Sequence, residues 1–444
     1  MTLRSSLSGV EGIRAFRHRN YRLFFGGQGI SLIGTWMQGV AQSWLILQLT
    51  GNPFVLGIVA AAQFLPVLLF GLFGGIIADQ LPKRRTMMVT QAFAMVMSFV
   101  MFGLTATNTV QVWHVLAIAL LMGFRNAIDM PTRQSFAVEM VGREDVQNAV
   151  AMNSAMFNGA RIVGPAVAGL VIGAFGVPLA FLIDALSFVA VIIALWLMDE
   201  RELRMPPVIA RPHTPGEVFE NLAEGIRYVR NTPLVLLGVT VVGLVATFGM
   251  NFTVLVPPLA KDVLHSDASG YGFLMAASGF GSLVAALVIA FSGRARAMAI
   301  VVGAVVLGIA EVVSGLSTSF AVTLIAMFAV GVGGITMAAT ANSVIQLSVP
   351  DILRGRVMSV YTTVFAGSTP IGGPVMGAMA GGFGIATALI VGGVISASIG
   401  ILGWFSIRTG AVPAAPPPWR GSAPAVRPMG GVATASTSGG RQEP

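Results

Sequence analysis

Twelve stretches of this chain are each long enough to cross a lipid bilayer and apolar on every side. A hydrocarbon core about 30 Å thick needs roughly 20 apolar residues in a helix. On that measure spans fall at 23–49, 54–78, 86–107, 111–132, 150–175 and 178–198, then at 234–259, 271–292, 297–316, 320–348, 357–382 and 385–407. Runs such as 65–77 and 301–310 do not alternate polar with apolar residues, as strands of a membrane barrel must. Only 10% of the residues are charged, against roughly 25% in soluble domains, so the chain cannot clothe itself in a polar skin. The expected fold is an all-α membrane protein with twelve transmembrane helices in two pseudo-symmetric six-helix halves.

A net charge of +8 raises the question of a nucleic-acid partner, and the placement of the charge answers it. With the N-terminus cytoplasmic, 23 of the 26 basic residues fall in the terminal segments and inner loops, leaving Lys261 outside and Arg125 and Arg161 within spans. This is the positive-inside distribution. It predicts cytoplasmic N- and C-termini in a cell (inner) membrane and no nucleic-acid partner. No cleavable signal precedes the first span, whose helix is expected to act as its own insertion signal.

Residues 1–22 then form a cytoplasmic segment, 23–198 the first half, 199–231 a cytoplasmic linker and 232–408 the second half. The tail, 409–444, is rich in Pro and Gly and expected to be disordered and cytoplasmic. In the linker, Thr214-Pro215-Gly216-Glu217 has the form of a capping box with proline at the first helical position. Val218, Leu222, Ile226 and Val229 follow at helical spacing, predicting a short amphipathic helix that lies on the inner membrane surface or bridges the halves.

A weak internal repeat links the halves. Thr132-Arg133-Gln134-Ser135 matches Thr340-Ala341-Asn342-Ser343. Gly164-Pro165 ahead of Gly169 matches Gly373-Pro374 ahead of Gly377, and Ala174-Phe175-Gly176 matches Gly382-Phe383-Gly384. Two duplicated halves joined by a loop are a transporter layout, with the substrate site expected between them near mid-membrane.

The loop after the second span reads Gly75-Ile-Ile-Ala-Asp79-Gln80-Leu-Pro82-Lys83-Arg84-Arg85. It resembles the cytoplasmic loop signature of the major facilitator superfamily, with Gln80 and Pro82 in place of the usual arginine and second glycine. Asp79, beside three cations at a helix end, would pair within the loop or with a neighbouring helix, holding shut an inner gate of Gly75, Asp79, Lys83, Arg84, Arg85 and Arg133. The alternative is a solvated aspartate in a topogenic loop. In span five, Ala160-Arg161-Ile-Val-Gly164-Pro165-Ala-Val-Ala168-Gly169 is similar to the antiporter signature of that superfamily, with alanine at two glycine positions. Small residues there permit close helix packing and Pro165 frees a carbonyl; ordinary membrane packing would use the same residues.

Further segments are similar to one branch of the superfamily, that of the enterobactin exporter, transmembrane secretion effectors and related drug exporters. They include Arg19-Asn-Tyr-Arg22, Pro131-Thr-Arg133-Gln134, Arg143-Glu-Asp145-Val-Gln-Asn148 and Phe181-Leu-Ile-Asp184. The resemblance covers residues 16 to about 408. It implies alternating access and export coupled to inward proton flow without fixing the substrate; the expected cargo is a small hydrophobic, drug-like or siderophore-like molecule. The proton gradient is then the energy source, with no cofactor.

An ionisable side chain at mid-bilayer costs at least about 2.5–3.5 kcal/mol, so each must face a partner or water. Arg125, Asp129, Arg161, Asp184 and Glu311 lie within spans and are the proton-pathway candidates. Arg125, Asp129 and Arg133 share one helical face at i, i+4 and i+8; Asp129 is either a proton carrier or the acid of a structural ion pair. Arg161 cannot shed its proton and must meet a carboxylate, carbonyl dipoles or an anionic substrate. Gln38, Gln42, Gln63, Asn153, Asn158, Asn251, Tyr361 and Thr362 are polar cavity candidates, with Trp36, Met37, Phe157, Phe248 and Met250 suited to a large, partly apolar cargo.

The chain has no phosphate-binding loop around its two lysines, no His-Glu-x-x-His and no Cys/His cluster, so it reads as a transporter and not an enzyme. The expected partners are membrane lipids, protons and a small-molecule substrate, with the chain acting as a monomer. An importer or facilitator on the same fold is the competing reading.

Overall fold

The computed structural model describes residues 11–204, 215–292 and 296–416, with side chains described except at 11, 12, 72–79, 215, 218 and 219. Lipid offers no hydrogen bonds, so each spanning segment must satisfy its own backbone, and only a helix does that within one segment. The helices are α1 (Arg19–Thr50), α2 (Pro53–Gln80), α3 (Lys83–Ala106), α4 (Val112–Phe175), α5 (Val177–Trp196), α6 (Pro215–Asn231), α7 (Pro233–Phe248), α8 (Phe252–Pro258), α9 (Ala268–Ser292), α10 (Ala297–Leu316), α11 (Phe320–Ser348), α12 (Asp351–Phe383) and α13 (Ile385–Arg408). No strand occurs among the described residues.

Among those residues nine segments are long and apolar enough to cross a membrane. The 64-residue α4 contains two crossings, divided at Gly142, whose φ of +73° interrupts the helix. Conversely α7, the break at 249–251, α8 and the wide turn Leu259–Val263 together make one crossing. The 32-residue α1 and the 33-residue α12 complete the twelve; both are long enough, but their polar and glycine residues dilute the apolar signal.

The repeat in the sequence is a repeat in the backbone. Gly176 and Gly384, each preceded by Phe, adopt φ of +83° and +91° and separate α4 from α5 and α12 from α13. An L side chain there would be strained, so the matched Phe-Gly pairs mark one turn used twice.

Inside the first half, α1 packs on α4 and α5, and α3 on α5; inside the second, α10 lies between α11 and α13. Between halves, α2 packs on α12 and α4 on α9. The amphipathic α6 packs on α12 and α7. It is docked on the second half, its Gly225 against the Arg356 carbonyl, Glu224 paired with Arg356, and Tyr228 Oη donating to the Ser348 carbonyl at 3.1 Å. Thr214, the predicted cap, Val218 and the tail beyond residue 416 lie outside what is described.

Candidate functional site

The closest inter-half approaches towards the face away from the chain's two ends are made by main chain, beside side-chain contacts such as the Trp44–Tyr271 stack at 6.1 Å and the bond from Ser269 Oγ to the Gly169 carbonyl at 3.2 Å. A Cβ added at Gly57 of α2 would lie 2.2 Å from the carbonyl oxygen of Gly373 on α12, and one at Gly377 would lie 2.5 Å from the Pro53 carbonyl. The second seam uses the matching motif. A Cβ at Gly272 of α9 would lie 2.4 Å from the Pro165 carbonyl, and one at Gly169 would lie 2.8 Å from the Ala268 carbonyl. Gly164, on another face of α4, admits Trp36 of α1 to 2.5 Å of its virtual Cβ. Gly164, Pro165 and Gly169 therefore join α4 to both α1 and α9, and Gly373 and Gly377 do the corresponding work on α12. A cavity of about 520 Å³ opens on this same face, lined by Trp44, Gln48, Thr105, Asn108, Gly173 and Asp267 among others.

On the opposite, basic face the described ion pairs join each half to itself or to the segment flanking it, and none of them spans from one half to the other. Lys83 reaches Glu139 at 2.8 Å. Arg84 donates to the Leu195 and Trp196 carbonyls at 2.6 and 2.9 Å and pairs with Glu200. Two of the three loop cations thus tie α3 to the first crossing of α4 and to the end of α5. Arg85 is exposed. The side chain of Asp79 and the surroundings of Gly75 lie outside the described residues. The N-terminal turn Glu11–Arg17 is pinned to the start of the second crossing of α4: Arg17 and His18 meet Asp145 at 3.0 and 2.9 Å, and the Ala15 amide donates to Asn148 Oδ1 at 2.8 Å. Burial would raise the Asp145 pKa, but the hydrogen bonds from His18 and Arg17 outweigh it and hold the carboxyl below its ordinary range. Of these residues, Asp145 and Asn148 were quoted above only for their resemblance.

Arg125, Asp129 and Arg133 come together as the helical spacing requires. Asp129 is 0% exposed. Thr90 Oγ1 and Gln91 Nε2 donate to it at 2.7 and 2.9 Å, Arg133 pairs with its other oxygen, and Arg125 lies at 3.5 Å. The geometry is that of a closed ion-pair network. Arg133, grouped above with the gate, is one helical turn from Asp129 and bonds back to it. Arg125 also donates to the Thr90 carbonyl at 3.3 Å and to Asn126 at 3.0 Å. The α3 residues Thr90, Gln91 and Ser98 belong to these networks without having been expected; polar residues at apolar spacing in the third span were the available signal.

Asp184 differs. It is buried between α1, α3 and α5; Ser98 Oγ donates to Oδ2 at 2.6 Å, while Oδ1 has no partner among the described residues. Glu311 of α10 is 2% exposed and its Oε2 is likewise without a partner there. Glu311 is thus a separate site, whereas Asp129 and Asp184 both feel the charge of Arg125. The guanidinium of Arg161 has met none of them: it stands 5.9 Å from the centre of the Trp36 ring.

Of the cavity candidates, several are occupied locally. Asn153 accepts from Tyr21 Oη at 3.0 Å, Asn158 donates to the Ser154 carbonyl at 2.8 Å, Asn251 to the Thr247 carbonyl at 2.7 Å, and Tyr361 to the Ala338 carbonyl at 3.1 Å. Asn251 marks the break between α7 and α8. Gln38, Gln42 and Met37 are buried, and Gln63, Phe248 and Met250 are half-buried. Thr362 and Phe157 are exposed, and Phe157 meets Trp36 edge-on at 5.6 Å.

Twelve crossings in two pseudo-symmetric halves, abutting along main-chain seams, define the class: an all-α membrane transporter of the major facilitator fold. Residues 11–414 match the transmembrane secretion effector family, and the chain belongs to that family of the major facilitator superfamily. It is 26% identical over 402 residues to the staphyloferrin A transporter of Staphylococcus aureus (87% of this chain, 96% of that one). It is 29% identical over 373 residues to the multidrug efflux pump Tap of Mycolicibacterium fortuitum (81% and 87%). Among solved structures it is similar to a bacterial homolog of the human lysosomal transporter Spinster in an inward-facing, unoccupied conformation, with TM-score 0.69 and 14% identity over 90% of this chain and 99% of that one. That likeness concerns the fold alone.

Proposed function

We propose that the protein is a proton-coupled exporter that moves a small hydrophobic, drug-like or siderophore-like molecule by alternating access. The observation that carries this reading is the one-sided seal. Main-chain seams close the face away from the termini, while none of the described ion pairs of the basic face spans from one half to the other. The bodies that rock are 23–198 and 232–408, joined by the 199–231 linker. The basic residues put both termini in the cytoplasm of a bacterial cell, so the form described opens inward. The export direction is supported by the Gly164-Pro165…Gly169 signature at the α4–α9 seam and by the efflux pump and siderophore transporter among its relatives.

Asp184 carries the proton in this reading. Asp129, with two arginines and two neutral donors around it, is a fixed counter-charge. Asp184 has one donor, an unpartnered oxygen and a position against Gly34 and Ser187 of the α1–α5 contact. Arg125 acts on its charge without a hydrogen bond to it, and a buried carboxyl takes up a proton at low cost. No cofactor takes part, and the partners are lipids, protons and the cargo, with the chain acting as a monomer.

The test is transport in proteoliposomes against a panel of fluorescent drugs and ferric-free siderophores, with a pH-sensitive dye in the lumen. Cargo should move against the direction of proton flow and follow an imposed pH gradient. Flux indifferent to the gradient would overturn the coupling, and uptake into intact cells would overturn the direction.

A further inference from the structure

Arg161 is an anomaly among the intramembrane charges. Arg125 and Arg133 share the carboxylate of Asp129. The Arg161 guanidinium has no carboxylate, carbonyl or side-chain oxygen bonded to it among the described residues, only the face of Trp36 at 5.9 Å. Such a cation cannot be neutralised by losing its proton, and placing it in a membrane without an anion is costly. A cation–π contact of this length offsets part of that cost and leaves all five N–H donors available.

Its position is informative. Ser154, Phe157, Asn158 and Arg161 occur at i, i+3, i+4 and i+7 and so share one face of α4. One turn further along the same helix that face is covered, with Pro165 and then Gly169 pressed against α9. The Arg161 backbone is at the edge of the seam, its carbonyl 2.9 Å from the virtual Cβ of Gly279. Towards the basic face the stripe is uncovered: Ser154 is exposed and Phe157 is 46% exposed. Arg161 therefore stands at the closed end of the cleft between the halves, with two aromatic rings, Trp36 and Phe157, set edge to face beside it.

We propose that Arg161 is the docking point for a carboxylate of the transported molecule, with Trp36 and Phe157 as the wall for its apolar or aromatic body. The cargo class is then an amphipathic organic anion. The guanidinium fork matches a carboxylate in two parallel hydrogen bonds, and the rings supply area for what is attached to it. The inference rests on the transporter reading above and narrows its substrate.

Binding can be measured without any gradient. Calorimetry on the protein in nanodiscs would compare 2-naphthoate, 2-naphthamide and 2-naphthylmethylammonium, which share one aromatic body and differ in charge. The naphthoate should bind at least about tenfold more tightly than the amide, as expected for charge-assisted pairing, and the ammonium least. Arg161→Gln should erase the difference between naphthoate and amide; Arg161→Lys should keep a reduced preference; Trp36→Ala should weaken both ligands alike. Size exclusion and thermal unfolding establish that each variant is folded; if Arg161→Gln is not, the wild type and Arg161→Lys decide. A wild type that binds the amide as tightly as the naphthoate, or a folded Arg161→Gln that keeps the preference, overturns the inference. Flux blind to a pH gradient with the anion preference intact would overturn the proton coupling and leave this site standing. The converse result would remove the site and spare the coupling.

Discussion

Gly57→Ala is the sharpest test of the seal, because the whole perturbation is one methyl group aimed at main chain. Its Cβ would fall 2.2 Å from the Gly373 carbonyl oxygen, 2.5 Å from that carbonyl carbon and 2.8 Å from the Pro374 nitrogen. The first of these is more than 1 Å short of the 3.4 Å at which ordinary van der Waals contact begins. No rotamer can relieve it, since the obstacle is backbone; α2 and α12 must separate. Overpacking of this kind costs about 1–3 kcal/mol, and the cost falls on the sealed arrangement alone. The equilibrium between sealed and opened forms should shift by about 5- to 150-fold. The chain has no cysteine, so spin labels can be introduced at chosen pairs without a background. A pair at Thr109 and Phe383 reports the sealed face, and a pair at Glu144 and Ile352 the basic face. In Gly57→Ala the first distance should lengthen and the second shorten. Gly39→Ala is the control, because nothing lies within 4 Å of its added Cβ. Unchanged distance distributions in Gly57→Ala, or equal changes in both variants, would refute the idea that these glycines hold the face shut.

The remaining predictions concern charge. Asp184→Asn should abolish gradient-driven accumulation in proteoliposomes while leaving downhill exchange of the same cargo; retained pH-driven accumulation would exclude Asp184 as the carrier. Asp129→Asn leaves Arg125 and Arg133 buried without their acid and should destabilise the protein by about 3–5 kcal/mol, read as a lowered thermal transition in detergent. Asp145 is held below the ordinary carboxylate range in the folded chain, so its contribution is fully present above the unfolded value of about 3.9 and is lost as pH falls through the lower folded value. Tryptic cleavage at Arg14 and Arg17 should therefore stay slow from neutral to mildly acidic pH, and Asp145→Asn should speed it at neutral pH.

Most of the fold was legible because a bilayer imposes one length and one chemistry on each crossing. Boundaries were less so. The sequence places a loop between the fourth and fifth spans, yet α4 runs on to a break at Gly142 alone; a glycine's φ is not written in hydropathy. Arg133, expected on the helical face of Arg125 and Asp129, bonds back to Asp129 within that helix. The spacing of Arg125, Asp129 and Arg133 was readable within one helix, whereas Thr90, Gln91 and Ser98 come from another, and which faces of α3, α4 and α5 meet is decided by tertiary packing. The matched glycine pairs were visible as a repeat. Their use as inter-half seams was not, because a small residue shows that something comes close without saying what.

The seams also separate two kinds of inheritance. The tightest approaches of the seal are main chain meeting main chain at Gly57, Gly169, Gly272, Gly373 and Gly377, so substitutions at Phe157 or Asn158, on the stripe of Arg161, are expected to leave these approaches in place. A lineage can exchange one cargo for another by altering a few exposed side chains, while the mechanical joint stays fixed by the smallest residue there is. Drift in specificity and constancy of motion then follow from the same economy of atoms.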